Sequence, residues 1–216
     1  MRRPSLGKEW VHRSIWSCLC RTPPGQIPSV NATLPTWAWN VAKAELGGPL
    51  PRRWLHSLGV SQRATELAEL VGGDAALLVS AAVLHDVGYA PRLAITGFHP
   101  LDGARFLRDI HAADERLVRL VANHSFALLE AEERGLRAVL EAEFPLLDDQ
   151  RLVDALVYCD MTTTPDGEVT TVASRLAEIT GRYGSDSLVG RFIRRASPDI
   201  LAAVGRVEAA LAAQPR

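Results

Sequence analysis

Apolar positions recur at helical spacing along most of the chain, and several of these stripes end on a histidine or an aspartate. Leu78, Ala81, Ala82 and His85 fall at i, i+3, i+4 and i+7, as do Leu117, Leu120, Val121 and His124. Val153, Leu156, Val157 and Asp160 repeat the spacing, and from His56 a stripe runs forward through Val60, Ala64, Leu67, Ala68 and Val71. Each set occupies one face of a 3.6-residue helix. Polar groups therefore stand where the pattern otherwise asks for core.

Breakers and caps divide the chain into helices. The pattern predicts helices over 37–46, stopped by Gly47-Gly48-Pro49, and over 51–71, ended by Gly72-Gly73. Asp74 reads as the N-cap of a helix ending at His85-Asp86, with Gly88 just beyond it. Residues 91–98 read as a loop, and Pro100 suits a first helical position with Asp102 in the first turn. Further helices are expected over 114–124, 125–134, 136–143, 148–161, 172–183, 187–195 and 198–213, the last opened by Ser197-Pro198-Asp199. No useful strand-like alternation and no internal repeat occur. The expected fold is an all-α, single-domain helical bundle.

Residues 1–33 stand apart as a poorly ordered basic N-terminal extension, and 34–216 as the folded domain. Pro4, Pro23, Pro24 and Pro28 interrupt the extension. Up to residue 35, Arg2, Arg3, Lys8, Arg13 and Arg21 face only Glu9. A native start near Leu34 is one expectation; N-terminal sequencing that finds Met1 would end it.

Composition narrows the class. At 216 residues, 47% hydrophobic and 23% charged, the chain is of ordinary globular make-up and large enough for a full core. A net charge of −1 gives no footprint for nucleic acid or an anionic membrane. No uninterrupted apolar run approaches the ~20 residues of a membrane span. Cys18, Cys20 and Cys159 do not make a disulfide framework or a zinc knot, and Cys159 reads as a small buried hydrophobe. A cytoplasmic setting is expected, with no nucleic-acid partner and no membrane partner.

Buried imidazoles and carboxylates are costly unless paired or bound to metal. His56, the pair His85-Asp86 and Asp160 come from three different helices, and convergence on a divalent ion accounts for all four. Neighbours on a helix point about 100° apart, so at a helix terminus His85 can bind one ion while Asp86 binds it too or bridges to another. His99 and His124 remain available for a second ion. Mixed nitrogen and oxygen ligands suit Mn, Fe, Co, Ni or Zn, one or two ions per chain. Two such ions ~3.5–4 Å apart support attack of a metal-bound hydroxide on phosphorus.

The ordered set His56…His85-Asp86…Asp160 resembles the H…HD…D signature of the HD-domain metal-dependent phosphohydrolases. With His99 in FHPLDGARFL and His124 in VANHS, it resembles the binuclear H…HD…H…H…D branch, which includes bacterial diadenosine tetraphosphate hydrolases. The resemblance implies an all-helical fold over roughly Leu34 to Tyr183. It implies His56, His85, Asp86 and Asp160 on the first metal, Asp86 bridging, and His99 and His124 on the second. It also implies hydrolysis of a phosphomonoester or phosphoanhydride, with a nucleotide as the expected substrate and His85 and Asp86 at the catalytic centre. Many members carry a phosphate-contacting lysine shortly after HD, where this chain has Tyr89. Arg63, Arg92 and Arg175 are the candidate substitutes for binding substrate, and the hydroxyl-rich MTTTPDGEVTTVASR is a candidate for ordering phosphate. Two other readings stay open: a diiron oxygenase with the same ligands, and a non-catalytic nucleotide-binding or signalling module. His12 and His111 are expected to have no role, and Trp37, Trp39 and Trp54 to line core or pocket.

Overall fold

In the computed structural model, residues 33–214 are described, and among them eleven α-helices carry the fold. The expectations for residues 1–32, including the basic extension, Cys18 and Cys20, lie outside the described residues. The helices are α1 (Leu34–Leu46), α2 (Pro51–Glu66), α3 (Ala68–Val71), α4 (Ala75–Leu84), α5 (His99–Asp109) and α6 (Glu115–Asn123). They continue with α7 (Ala127–Glu133), α8 (Arg137–Glu143), α9 (Gln150–Met161), α10 (Val172–Tyr183) and α11 (Leu188–Ala212). No strand forms among the described residues; a lone bridge joins Thr163 and Val169. The all-helical expectation holds.

The apolar stripes explain who packs on whom. Seven of ten residues of α4 are buried, from Leu77 to Leu84, which makes α4 the central helix. It lies against α1, α2, α6 and α9. A helix apolar all round belongs in a core. The wider stretch Ala68–Tyr89 is long and apolar enough on average to cross a membrane, and most of it is buried inside the protein. It contains Glu69, Asp74 and Asp86, and Gly72–Asp74 interrupts it with a 3₁₀ turn.

Several boundaries differ from the sequence pattern. The helix expected over 51–71 breaks at Leu67, and α3 is a separate turn. Asp74 does not cap α4 with its side chain; its carboxylate accepts from Arg116 at 2.8 Å and ties α4 to α6. Side-chain caps form at Asp114, Asp149, Thr171 and Ser187. Helices 187–195 and 198–213 are one helix, α11, with Pro198 inside it. Its buried face runs through Phe192, Ile193, Ala196, Ile200, Ala203, Val204 and Val207 without a change of phase. That continuous packing outweighs the cost of an internal proline, roughly 3 kcal/mol. The expected helix 125–134 shortens to α7, because Ser125 and Phe126 adopt left-handed backbone conformations at φ 48° and 63°.

The aromatic expectations hold in outline. Trp39 and Trp54 meet edge to face at 5.6 Å and pack partly buried against the core. His111 sits edge-on between Trp37 and Phe106. Cys159 is fully buried and its thiol is pushed up by that burial, in keeping with a packing role.

Two backbone crossings fix the helix ends that matter for chemistry. A Cβ on Gly88 would lie 2.0 Å from the His99 carbonyl oxygen and 2.5 Å from the Gly103 nitrogen. A Cβ on Gly59 would lie 2.4 Å from the Gly167 carbonyl oxygen. Only a residue without a side chain allows either approach. Gly88→Ala and Gly59→Ala should each cost about 1–3 kcal/mol, lowering Tm by roughly 2–12 °C. Gly205→Ala, on α11 with open space around it, should instead gain up to about 1 kcal/mol. Thermal unfolding of the three variants checks the ordering.

Candidate metal centre

Three of the histidines are held by one device. His85 Nδ1 lies 2.7 Å from the Ala82 carbonyl oxygen, and His124 Nδ1 lies 2.7 Å from that of Val121. Both carbonyls belong to the last turn of the helix that ends at the histidine. His56 Nδ1 reaches the Thr164 carbonyl oxygen at 2.9 Å. A carbonyl can only accept, so Nδ1 donates in each case and Nε2 is turned to the centre. This is the arrangement in which imidazole serves as a ligand with a fixed ring.

The loop after α9 supplies the carbonyl for His56. Thr164 N donates to the Glu168 carbonyl at 2.8 Å and Thr170 N to that of Thr162 at 2.9 Å, folding the segment back toward α2. The Thr162 and Thr163 hydroxyls donate to the Tyr158 and Cys159 carbonyls. These two hydroxyls are engaged with α9, and Thr164 between them and the turn supplies the carbonyl that buttresses His56.

His99 is placed from the other side. It opens α5, and the buried Asp102 one turn on accepts from Thr96 N, Thr96 Oγ1 and Gly97 N at 3.0, 2.8 and 3.2 Å. The preceding loop is thereby pinned, and the Gly88 crossing brings the first turn of α5 against the residues after Asp86. Tyr89 stacks on His99 with ring centroids 3.9 Å apart, and the Arg53 guanidinium covers the Tyr89 ring at 4.1 Å.

Asp86 sits between two histidine sets. Its Oδ2 lies 3.4 Å from His85 Nε2 and 3.9 Å from His56 Nε2, while its Oδ1 lies 3.3 Å from His99 Nε2. His99 Nε2 and His124 Nε2 face each other at 3.2 Å. Two overlapping groups result, His56–His85–Asp86 and Asp86–His99–His124, with Asp86 common to both. Asp160 approaches the first group, its Oδ1 3.1 Å from His56 Nε2 and 3.8 Å from His85 Nε2. Its Oδ2 accepts from Ser125 Oγ at 2.5 Å, which is what the left-handed turn at Ser125 and Phe126 makes reachable.

The donor set fits divalent ions. His85 Nε2 is buried without a hydrogen-bond partner although carboxylate oxygens surround it. Nitrogen and oxygen ligands at ~2.0–2.2 Å from a shared ion stand about 3–3.5 Å apart; four of the pairs lie at 3.1–3.4 Å, and His56–Asp86 and His85–Asp160 are wider at 3.9 and 3.8 Å. His56, His85, Asp86, His124 and Asp160 are buried, and His99 nearly so.

The charges agree with this assignment. Burial raises the Asp86 carboxyl, but the Arg53 guanidinium at 2.7 Å, together with His85 and His99, reverses the shift and holds the group well below the usual carboxylate range. Burial likewise opposes ionisation of Asp160, and its hydrogen bond with His56 and the nearby charges reverse the shift. Burial disfavours a charged His85, yet the Asp86 carboxylate lifts it to about 9. A cation is favoured at that nitrogen. His124 moves the other way, to about 4, through burial and the neighbouring His85 and His99, and burial lowers His99 as well.

A cavity of about 230 Å³ opens over the cluster. Arg175 lines it, whereas Arg63 and Arg92 do not. Arg63 is engaged by Glu66 and the Tyr158 hydroxyl, and Arg92 by Glu45, which keeps both away from the cleft. The cation next to the motif is Arg53, which the sequence reading overlooked. Its signal was spacing: Arg53 precedes His56 by three residues and so shares its helix face. Arg182, two turns on from Arg175 along the same face of α10, was also missed and lines the cavity.

A family model for the HD domain matches residues 53–161, a span that runs from Arg53 through all six predicted ligands and ends at the close of α9. No curated protein and no solved structure matches the chain.

Metal capture should expel a proton from His85. Because that imidazole is raised to about 9, affinity should fall as pH drops below that value, by about tenfold per unit for one proton. Calorimetric titration of metal-free protein with Mn²⁺ or Zn²⁺ at pH 7, in buffers of different ionisation enthalpy, should find close to one proton released with the first ion.

Proposed function

The chain belongs to the HD-domain family, and we propose that it is a metal-dependent phosphohydrolase acting on a small phosphorylated molecule, a nucleotide being the substrate class that suits it best. The observation that carries this reading is the division of Asp86 between two histidine groups beneath an arginine-lined cleft. Divalent ions held there would supply Lewis acidity and lower the pKa of water toward ~7.

This chain's own residues do the rest. His56, His85, Asp86 and Asp160 would hold the first ion, and Asp86, His99 and His124 the second. The Nδ1 bonds of His56, His85 and His124 to backbone carbonyls fix those rings before any ion arrives, so little reorganisation accompanies binding. Arg53 keeps Asp86 ionised and presents a guanidinium at the same wall of the cleft, where negative charge on a phosphoryl oxygen would be stabilised. Arginines around the opening suit an anionic phosphorus-bearing substrate, which counts against an oxygenase acting on a polyol though not against one acting on a phosphonate.

Asp86→Ala should remove both groups' shared ligand. The expected result is loss of bound metal by elemental analysis and turnover at background on a panel of phosphate esters, with helical content unchanged by circular dichroism. His124→Ala should keep about one ion per chain where the unaltered protein holds two. Turnover by a metal-free Asp86→Ala protein would sink the proposal.

A further inference from the structure

Two cavities share one cationic wall. The first, of about 230 Å³, has the histidine–aspartate cluster as its floor. The second, of about 300 Å³, is bounded by Pro49, Leu50, Pro51 and Pro165. Arg53, Arg175 and Arg182 line both.

The charges on that wall are not balanced from within. Arg175 has its side chain 92% buried, and its Nε has no hydrogen-bond partner. Glu178 is the carboxylate for both Arg175 and Arg182. Arg53 has Asp86, whose oxygens also face the histidine groups. By contrast, Arg52 at the second cavity is neutralised by a two-point contact with Asp166 at 2.8 and 2.9 Å. A buried guanidinium with an unused donor calls for an anion that is not part of the protein.

The first cavity also has an apolar lining, from Ile179, which lies between Arg175 and Arg182 on the same face of α10, and from Phe192, Ile193 and Ile200 on α11. These residues, with Arg175 and Arg182, lie beyond the 53–161 span that the HD-domain match covers.

We propose that the cleft takes a phosphoanhydride in preference to a phosphomonoester. This rests on the phosphohydrolase reading and sharpens its substrate class. The scissile phosphoryl group lies over the metal-ligand floor, a second phosphoryl group lies against Arg175 and Arg182, and the organic body packs on Ile179, Phe192 and Ile193. Hydrolysis joins the water oxygen to phosphorus and breaks the P–O–P bridge. The bridging oxygen leaves with the electron pair on the departing phosphate, where the two arginines stabilise its charge, and the protons of water pass to the phosphate products or solvent.

The test compares AMP with its non-hydrolysable diphosphate homologue, α,β-methylene-ADP, by calorimetry on the full-length, metal-loaded protein, beside turnover of AMP and ADP. The diphosphonate should bind at least about tenfold more tightly, and Arg175→Met should weaken it by about tenfold or more while moving AMP by less than about threefold. Arg182→Ala, at a more exposed position, should show the same selectivity and serves if Arg175→Met does not fold. Equal binding of the two ligands, or equal loss of both in the variants, overturns the proposal. Selective binding without turnover of any phosphate ester would remove the hydrolase reading and leave the anion wall standing. Turnover confined to AMP would remove the anhydride proposal and leave the hydrolase reading intact.

Discussion

The structure depends on a buried carboxylate that no single partner satisfies. Asp86 is removed from water, and an isolated charge in such a place is prohibitively costly. Arg53 offsets that cost from α2, while the histidines of α2, α4 and α5 gather on the two oxygens. Every element that reaches Asp86 arrives by a helix terminus or first turn, or along a helix face. The bundle is thus organised around an electrostatic requirement at its centre as much as around its apolar core.

Backbone groups provide the rigidity that side chains alone could not. The carbonyls of Ala82 and Val121 are freed by the ends of α4 and α6, and each takes the Nδ1 proton of the histidine three residues on. Helix termination and ring orientation are one event at these two sites. The left-handed pair Ser125 and Phe126 extends the same economy: it ends the run from α6, restarts the chain as α7 and delivers a hydroxyl to Asp160. Strained backbone of this kind persists where surrounding contacts over-determine it.

Much of this could be read from the residues in order. Stripes closing on His85, His124 and Asp160 announced both the helices and the places where they end, because a polar group at a core position is itself the anomaly. Pro198 misled because a local rule met a longer-range one: the apolar phase across it was continuous, and packing prevailed. Arg63 and Arg92 could not be separated from Arg53 by chemistry, only by which face of which helix turned inward. Arg92 sits close to the HD motif in the chain yet is claimed by Glu45 of α1, a partner 47 positions away that no local pattern reveals. Asp74 failed as a cap for a similar reason, since Arg116 of α6 competes for its carboxylate.

The boundary of the matched span, at Met161, falls between two kinds of work. Before it lie the groups that would act on a bond; after it, in α10 and α11, lie most of the groups that would admit a molecule to the cleft. The join is a short loop whose backbone is already pinned to α2 through Gly59 and His56. Both α10 and α11 also pack on α9, so the helices that would shape the cleft steady the helix that carries Asp160.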